Sequence, residues 1–116
     1  MKKHTLSLQP YDTSVLIVVG TPEEARKWVK TSNYSDIQFT FEADGALISC
    51  ETYFPVMFLN TKPNKAQRVQ TFAHECVHLI NTVFDNTGVQ YSSGNDEHYA
   101  FMMSYLFEQA QTKKII

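Results

Sequence analysis

Apolar and polar residues alternate over short stretches in the first half of the chain and recur at helical spacing in the second. His4 to Gln9 alternates and predicts a strand, and Pro10-Tyr11-Asp12 turns the chain. Ser14 to Gly20 is a β-branched run and predicts a buried strand. A helix start follows in Thr21-Pro22-Glu23-Glu24. Thr21 can cap, Pro22 suits the first helical position, and Glu24 closes a capping box. The acidic pair also suits the positive end of the helix dipole. This helix extends to about Thr31 and docks through Ala25, Trp28 and Val29.

Ile37, Phe39 and Phe41 then alternate with Gln38, Thr40 and Glu42, the pattern of a half-buried strand. Asp44-Gly45 predicts a hairpin turn, because both positions tolerate positive φ, and Ala46 to Cys50 returns. Tyr53 to Leu59 is a further strand. Pro55 within it cannot donate to a ladder, which predicts an edge strand or a bulge.

From Asn64 to Phe84 the period becomes that of a helix. Val69, Phe72, Ala73, Cys76, Val77, Leu79, Ile80, Val83 and Phe84 share one apolar arc. Thr71, His74, His78, Thr82 and Asp85 lie opposite, with Glu75 at the margin. Gly88 and Gly94 mark a loop. A last helix, Asp96 to Gln111, carries Tyr99, Met102, Met103, Leu106, Phe107 and Ala110 on its apolar side. Together these elements predict an α+β fold: a small, mostly antiparallel sheet, a helix after the first strands, and two C-terminal helices packed on the sheet.

Composition narrows the picture. The chain of 116 residues is expected to form a single domain, 1–116, with one real core. Hydrophobic content of 43% and charged content of 19% belong to a globular chain rather than a disordered one. A net charge of −2 gives no reason to expect a nucleic-acid partner. Val15-Leu16-Ile17-Val18-Val19, the longest aliphatic run, is far too short for a membrane span. HTLSLQPYDTS after Met1-Lys2-Lys3 supplies no apolar core for a secretion signal. A cytoplasmic protein without a membrane partner is therefore expected. The two cysteines, Cys50 and Cys76, make no disulfide framework, and Cys76 falls on the apolar arc as a small core residue.

The chemistry lies in TFAHECVHLI, residues 71 to 80, which contains H-E-x-x-H at His74, Glu75 and His78. Four residues apart on a helix, the two imidazoles stack on one face and can share one Zn²⁺ at about 2.0–2.1 Å each. Glu75 is rotated by roughly a quarter turn, too far round to be a ligand but within reach of a water at the metal. A catalytic zinc takes a third protein ligand and keeps one position open. Asp96, Glu97 and His98 all stand where such a ligand is needed, and periodicity does not separate them. Glu97 also shares a polar stripe with Ser104 and Glu108 that can equally face solvent.

HECVH followed by NDEHYA resembles the zincin metallopeptidases, and within them the gluzincin arrangement, in which a glutamate on the next helix completes the site. The layout is also similar to small phage-encoded metallopeptidases and to ImmA/IrrE-type proteases that cleave repressors. The likeness covers residues 71 to 107. It implies a zinc-dependent hydrolase with His74, His78 and Glu97 as ligands, since Glu97-His98-Tyr99-Ala100 matches the E-x-x-A pattern around that third ligand. It implies Glu75 as general base and a peptide or protein as substrate. It also implies an oxyanion-stabilising Tyr or His, for which His98, Tyr91 and Tyr99 are candidates. An edge strand lines the cleft in that family, and Tyr53 to Leu59 is the expected counterpart. Phe101 stands where some gluzincins carry a supporting aspartate, and the third histidine of a metzincin is absent.

The alternative is a zincin-like zinc-binding module, for example a phage regulatory or anti-host factor, that binds a protein partner without catalysis. Glu97 and Asp96 also suit a helix first turn without any metal. Lys62, Lys65 and Arg68 read as a solvated face, Met102 and Met103 as core, and Asp85 as a solvent-facing helix end. His4 carries no assigned chemistry.

Overall fold

The computed structural model describes residues 1–37, 41, 44–49, 53–90, 92–94 and 96–116. The architecture is α+β. Strand β1 is Lys2–Ser7, β2 Ser14–Gly20, β3 Gly45–Ile48 and β4 Val56–Asn60; the helices are α1 Pro22–Lys30, α2 Lys65–Thr87 and α3 Asp96–Thr112. The strands form one sheet in the order β1-β2-β4-β3. β1 and β3 pair antiparallel with β2 and β4 respectively, and β2 pairs parallel with β4, Leu16 opposite Val56 through Gly20 opposite Asn60.

Period-2 alternation sorts the two central strands onto both faces of the sheet. Val15, Ile17 and Val19 of β2, with Met57 and Leu59 of β4, face a core shared with Phe72, Leu79 and Ile80 of α2 and Met102 and Leu106 of α3. Val18, Val56 and Phe58 face the opposite core with Ala25 and Val29 of α1. β4 is buried at every position because it is internal and covered on both sides. Each large side chain buried in these clusters contributes about 1.5–3 kcal/mol.

The capping box at Thr21 and Glu24 is present. Glu24 accepts from the Thr21 N–H at 2.9 Å, and its other oxygen takes the Met1 amine at 3.0 Å. Those bonds hold its carboxyl down at about 2, the Thr21 backbone bond being the largest cause. α2 opens with a second reciprocal box between Asn64 and Gln67 and ends at Gly88, whose φ of 75° is the left-handed cap that glycine takes without strain. α3 closes over β1. The Gln109 side-chain amide accepts from Ser7 N at 2.8 Å and donates to Ser7 O at 2.9 Å, and Lys113 Nζ donates to Thr5 O at 2.7 Å.

Two expectations change. β4 is an internal strand, not an edge, because Pro55 lies just before it, where a missing N–H interrupts no ladder; its carbonyl accepts from Leu16 N. Gly45 is not a hairpin turn residue. It is the first residue of β3, opposite Leu59, and Gly88 is the described glycine with positive φ. The alternating stretch 37–42 lies largely outside the described residues, as do Cys50, Tyr91 and Asn95. Phe41, from that stretch, is buried beside the Phe58 ring at 5.7 Å between centroids. No helix among the described residues is long and apolar enough to cross a membrane.

Candidate functional site

α2 packs its apolar arc on β3, β4 and α3, so the opposite side of the helix turns outward. His74 and His78 stand on that outward side, both exposed. Their rings approach to 4.9 Å between centroids, and Nε2 of one lies 3.3 Å from Nε2 of the other. Two nitrogens at about 2.0–2.1 Å from a tetrahedral zinc would be about 3.3–3.4 Å apart. The pair therefore already has the spacing of one edge of a zinc tetrahedron. Thr82 Oγ1 donates to the His78 carbonyl at 2.9 Å in the following turn.

Glu75 sits at the margin between the outward face and the core and is only 7% exposed. It shares an open recess of about 380 Å³ with Asp44, Gly45, Gln70, Thr71 and His74. Burial lifts its pKa above the usual carboxylate value, and His78 and His74 pull it back part of the way. The wall of this recess is made by glycine. A Cβ on Gly45 would stand 2.4 Å from Thr71 Cγ2, 3.2 Å from Phe58 O and 3.3 Å from Glu75 Cγ. β3 can lie this close to α2 only where it carries no side chain. Cys76, next in sequence, is fully buried, and its thiol is pushed far up by burial and by the Glu75 charge, which leaves it inert.

The structure thus brings His74, Glu75 and His78 together. Asp96 and Glu97 are exposed on the first turn of α3, and the rest of the Glu97 stripe, Ser104 and Glu108, is exposed as well. Among the described residues, no group of three His, Cys, Asp or Glu side chains converges on one point. His98 is held elsewhere. Its Nε2 lies 2.7 Å from the Tyr11 hydroxyl, and its ring stacks on Phe84 at 5.7 Å. Tyr99 donates its hydroxyl to the Val77 carbonyl at 3.3 Å, which ties α3 to the HECVH turn.

Gly45 and Asp44 are the site residues that the pattern of the chain concealed, since Asp-Gly reads locally as a turn. Thr71 was visible as the residue three before His74 on the same side. No protein-family model, curated protein or solved structure matches the chain.

Proposed function

We propose that this protein is a zinc-dependent metallopeptidase in which His74 and His78 hold the metal, Glu97 is the third protein ligand and Glu75 is the general base. The observation that carries the reading is the 3.3 Å approach of the two Nε2 atoms beside a buried carboxyl. The donor set fits the metal: imidazole nitrogens suit zinc, and the outward face leaves room for substrate. Zinc held there supplies Lewis acidity toward a peptide carbonyl and toward water.

The chain's own residues do the rest. Glu75 takes a proton from the attacking water and delivers it to the departing amine; burial raises its proton affinity for the first step. The substrate lies extended along β3, the last strand of the described sheet, where Gly45 admits it close to Glu75. Glu97, exposed on the first turn of α3, would have to move to the metal to complete the site.

Elemental analysis of the wild type, His74→Ala and Glu97→Ala tests the ligand set. About one zinc per chain, lost in both variants, is expected. No zinc in the wild type after supplementation would end the proposal. Zinc kept by Glu97→Ala would remove Glu97 from the set.

A second reading keeps the zinc and drops the hydrolysis: a metal-organised surface that binds a protein. The observation in its favour is exposed apolar area on the same two helices, Val77 at 40% and Phe101 at 56% exposure. Zinc binding with no cleavage of any peptide in a mixed library would favour it.

A further inference from the structure

The start of β1, the end of β2 and the first turn of α2 meet the chain that follows α3 around a cavity of about 250 Å³. Its charged and polar lining is Lys2, His4, Glu24, Thr61, Arg68 and Lys114. It shares no lining residue with the recess at Glu75.

Its charges do not cancel. Glu24 is the acidic residue of the lining, and both its oxygens are committed, one to Thr21 N and one to the Met1 amine. That contact is the ion pair found among the described residues, so Lys2, Arg68 and Lys114 face the cavity without a carboxylate partner there. Arg68 goes further. Its Nε is buried and has no hydrogen-bond partner among the described residues. Buried donors are nearly always satisfied, so this guanidinium is not fully bonded from within the described residues and keeps hydrogen-bonding capacity at the cavity it lines.

Lys114 adds an independent observation. Ile115 N donates to Ala110 O and Lys114 N to Gln111 O, the paired bonds of a Schellman closure on α3. Lys114 occupies the left-handed position of that motif at φ 58°, where glycine is the usual residue. A lysine there is costly to the backbone, yet it places a second cation in the lining of the cavity with Arg68.

We propose that this cavity is an oxyanion site that takes a phosphate group, free or as a phosphomonoester, between Arg68 and Lys114. The planar guanidinium offers a bidentate fork to such a group, and Lys114 a point charge. Thr61 and His4 contribute further polar contacts. The remaining volume, walled in part by Val19 and Ile115, takes a small organic substituent.

Calorimetric titration of the full chain with inorganic phosphate and, separately, with glycerol phosphate tests this, at ionic strength held constant with chloride. Saturable one-site binding with Kd below about 1 mM is expected for at least one of them, and the tighter ligand identifies the source. Arg68→Gln and Lys114→Gly should each weaken it at least tenfold. Lys114→Gly should at the same time raise Tm, because glycine relieves the left-handed backbone; it remains informative if Arg68→Gln does not fold. Binding should persist in His74→Ala. Absence of saturable heat with both ligands overturns the proposal. So does binding that a folded Lys114→Gly leaves intact, or binding lost in His74→Ala.

Discussion

Gly45→Ala is the most direct probe of how β3 meets α2. In open strand backbone, alanine for glycine stabilises by about 0.4–1 kcal/mol, because the unfolded chain loses freedom. Gly45 is not in open space. The new Cβ would stand 2.4 Å from Thr71 Cγ2. Carbon atoms rest at about 3.5–4.0 Å, so this contact must open by about 1 Å or more. Overpacking of that kind costs about 1–3 kcal/mol. Setting the gain against the cost leaves a net loss of up to about 2.6 kcal/mol, centred on about 1.3 kcal/mol, a fall in Tm of about 4–8 °C at that centre for a domain of this size.

The Thr71→Ser background isolates the cause. Serine lacks Cγ2, and the remaining contacts, 3.2 Å to Phe58 O and 3.3 Å to Glu75 Cγ, need only a few tenths of an ångström. The alanine should therefore cost about 1 kcal/mol less in that background, a coupling within the usual range for touching residues. Urea denaturation of the four proteins reads both numbers, provided m is unchanged. Thr71 has one escape, rotation to its other helical χ1 well. If Gly45→Ala costs the same in both backgrounds, or stabilises the protein, the close packing of β3 on Thr71 is not what requires glycine.

Further expectations concern the candidate site. Glu75→Gln should keep zinc and lower peptide cleavage by about 10²–10⁴-fold, read as kcat/KM on a peptide that the wild type cuts; unchanged cleavage would falsify the general-base role. The same variant has a stability signature in zinc-free protein. The raised folded pKa of Glu75 means its stabilising contribution is complete below the ordinary value of 4.5 and is lost as pH rises through the folded value. Gln carries no such loss, so the variant should be the more stable protein at pH 7 and should lose that advantage below pH 4.5, as read by urea titration at each pH. Tyr11→Phe should cost about 0.5–1.5 kcal/mol through the lost 2.7 Å contact with His98 and leave zinc content unchanged. A loss of zinc would show that the Tyr11–His98 contact supports the metal site.

What could be read from the chain was what neighbours in sequence decide. The Thr21 box, the reach of α2 and the His74–His78 pairing depend on residues three or four apart. What escaped depends on elements meeting in space. Pro55 looked like an edge marker, but the parallel partner of β4 comes from some forty positions earlier, and no local pattern records it. Gly45 of β3 comes close to Glu75, and no pattern within the helix records that approach. His98 sits against Tyr11, 87 residues away. The proposed third ligand is the hardest case, because the angle between α2 and α3 decides whether Glu97 can reach the pair, and spacing along the chain does not encode that angle.

The Gln109 clamp on Ser7 bears on self-association. Thr5 and Ser7 are alternate residues of an edge strand whose main-chain groups face away from β2. Left open, such groups are a template for a strand from another molecule. Here a side-chain amide does to Ser7 what the peptide group of an incoming strand would do, and Lys113 occupies Thr5. A second copy arriving at the Thr5–Ser7 end of β1 would find three of those groups already bonded, so this part of the edge is blocked to strand addition without another strand being spent on it.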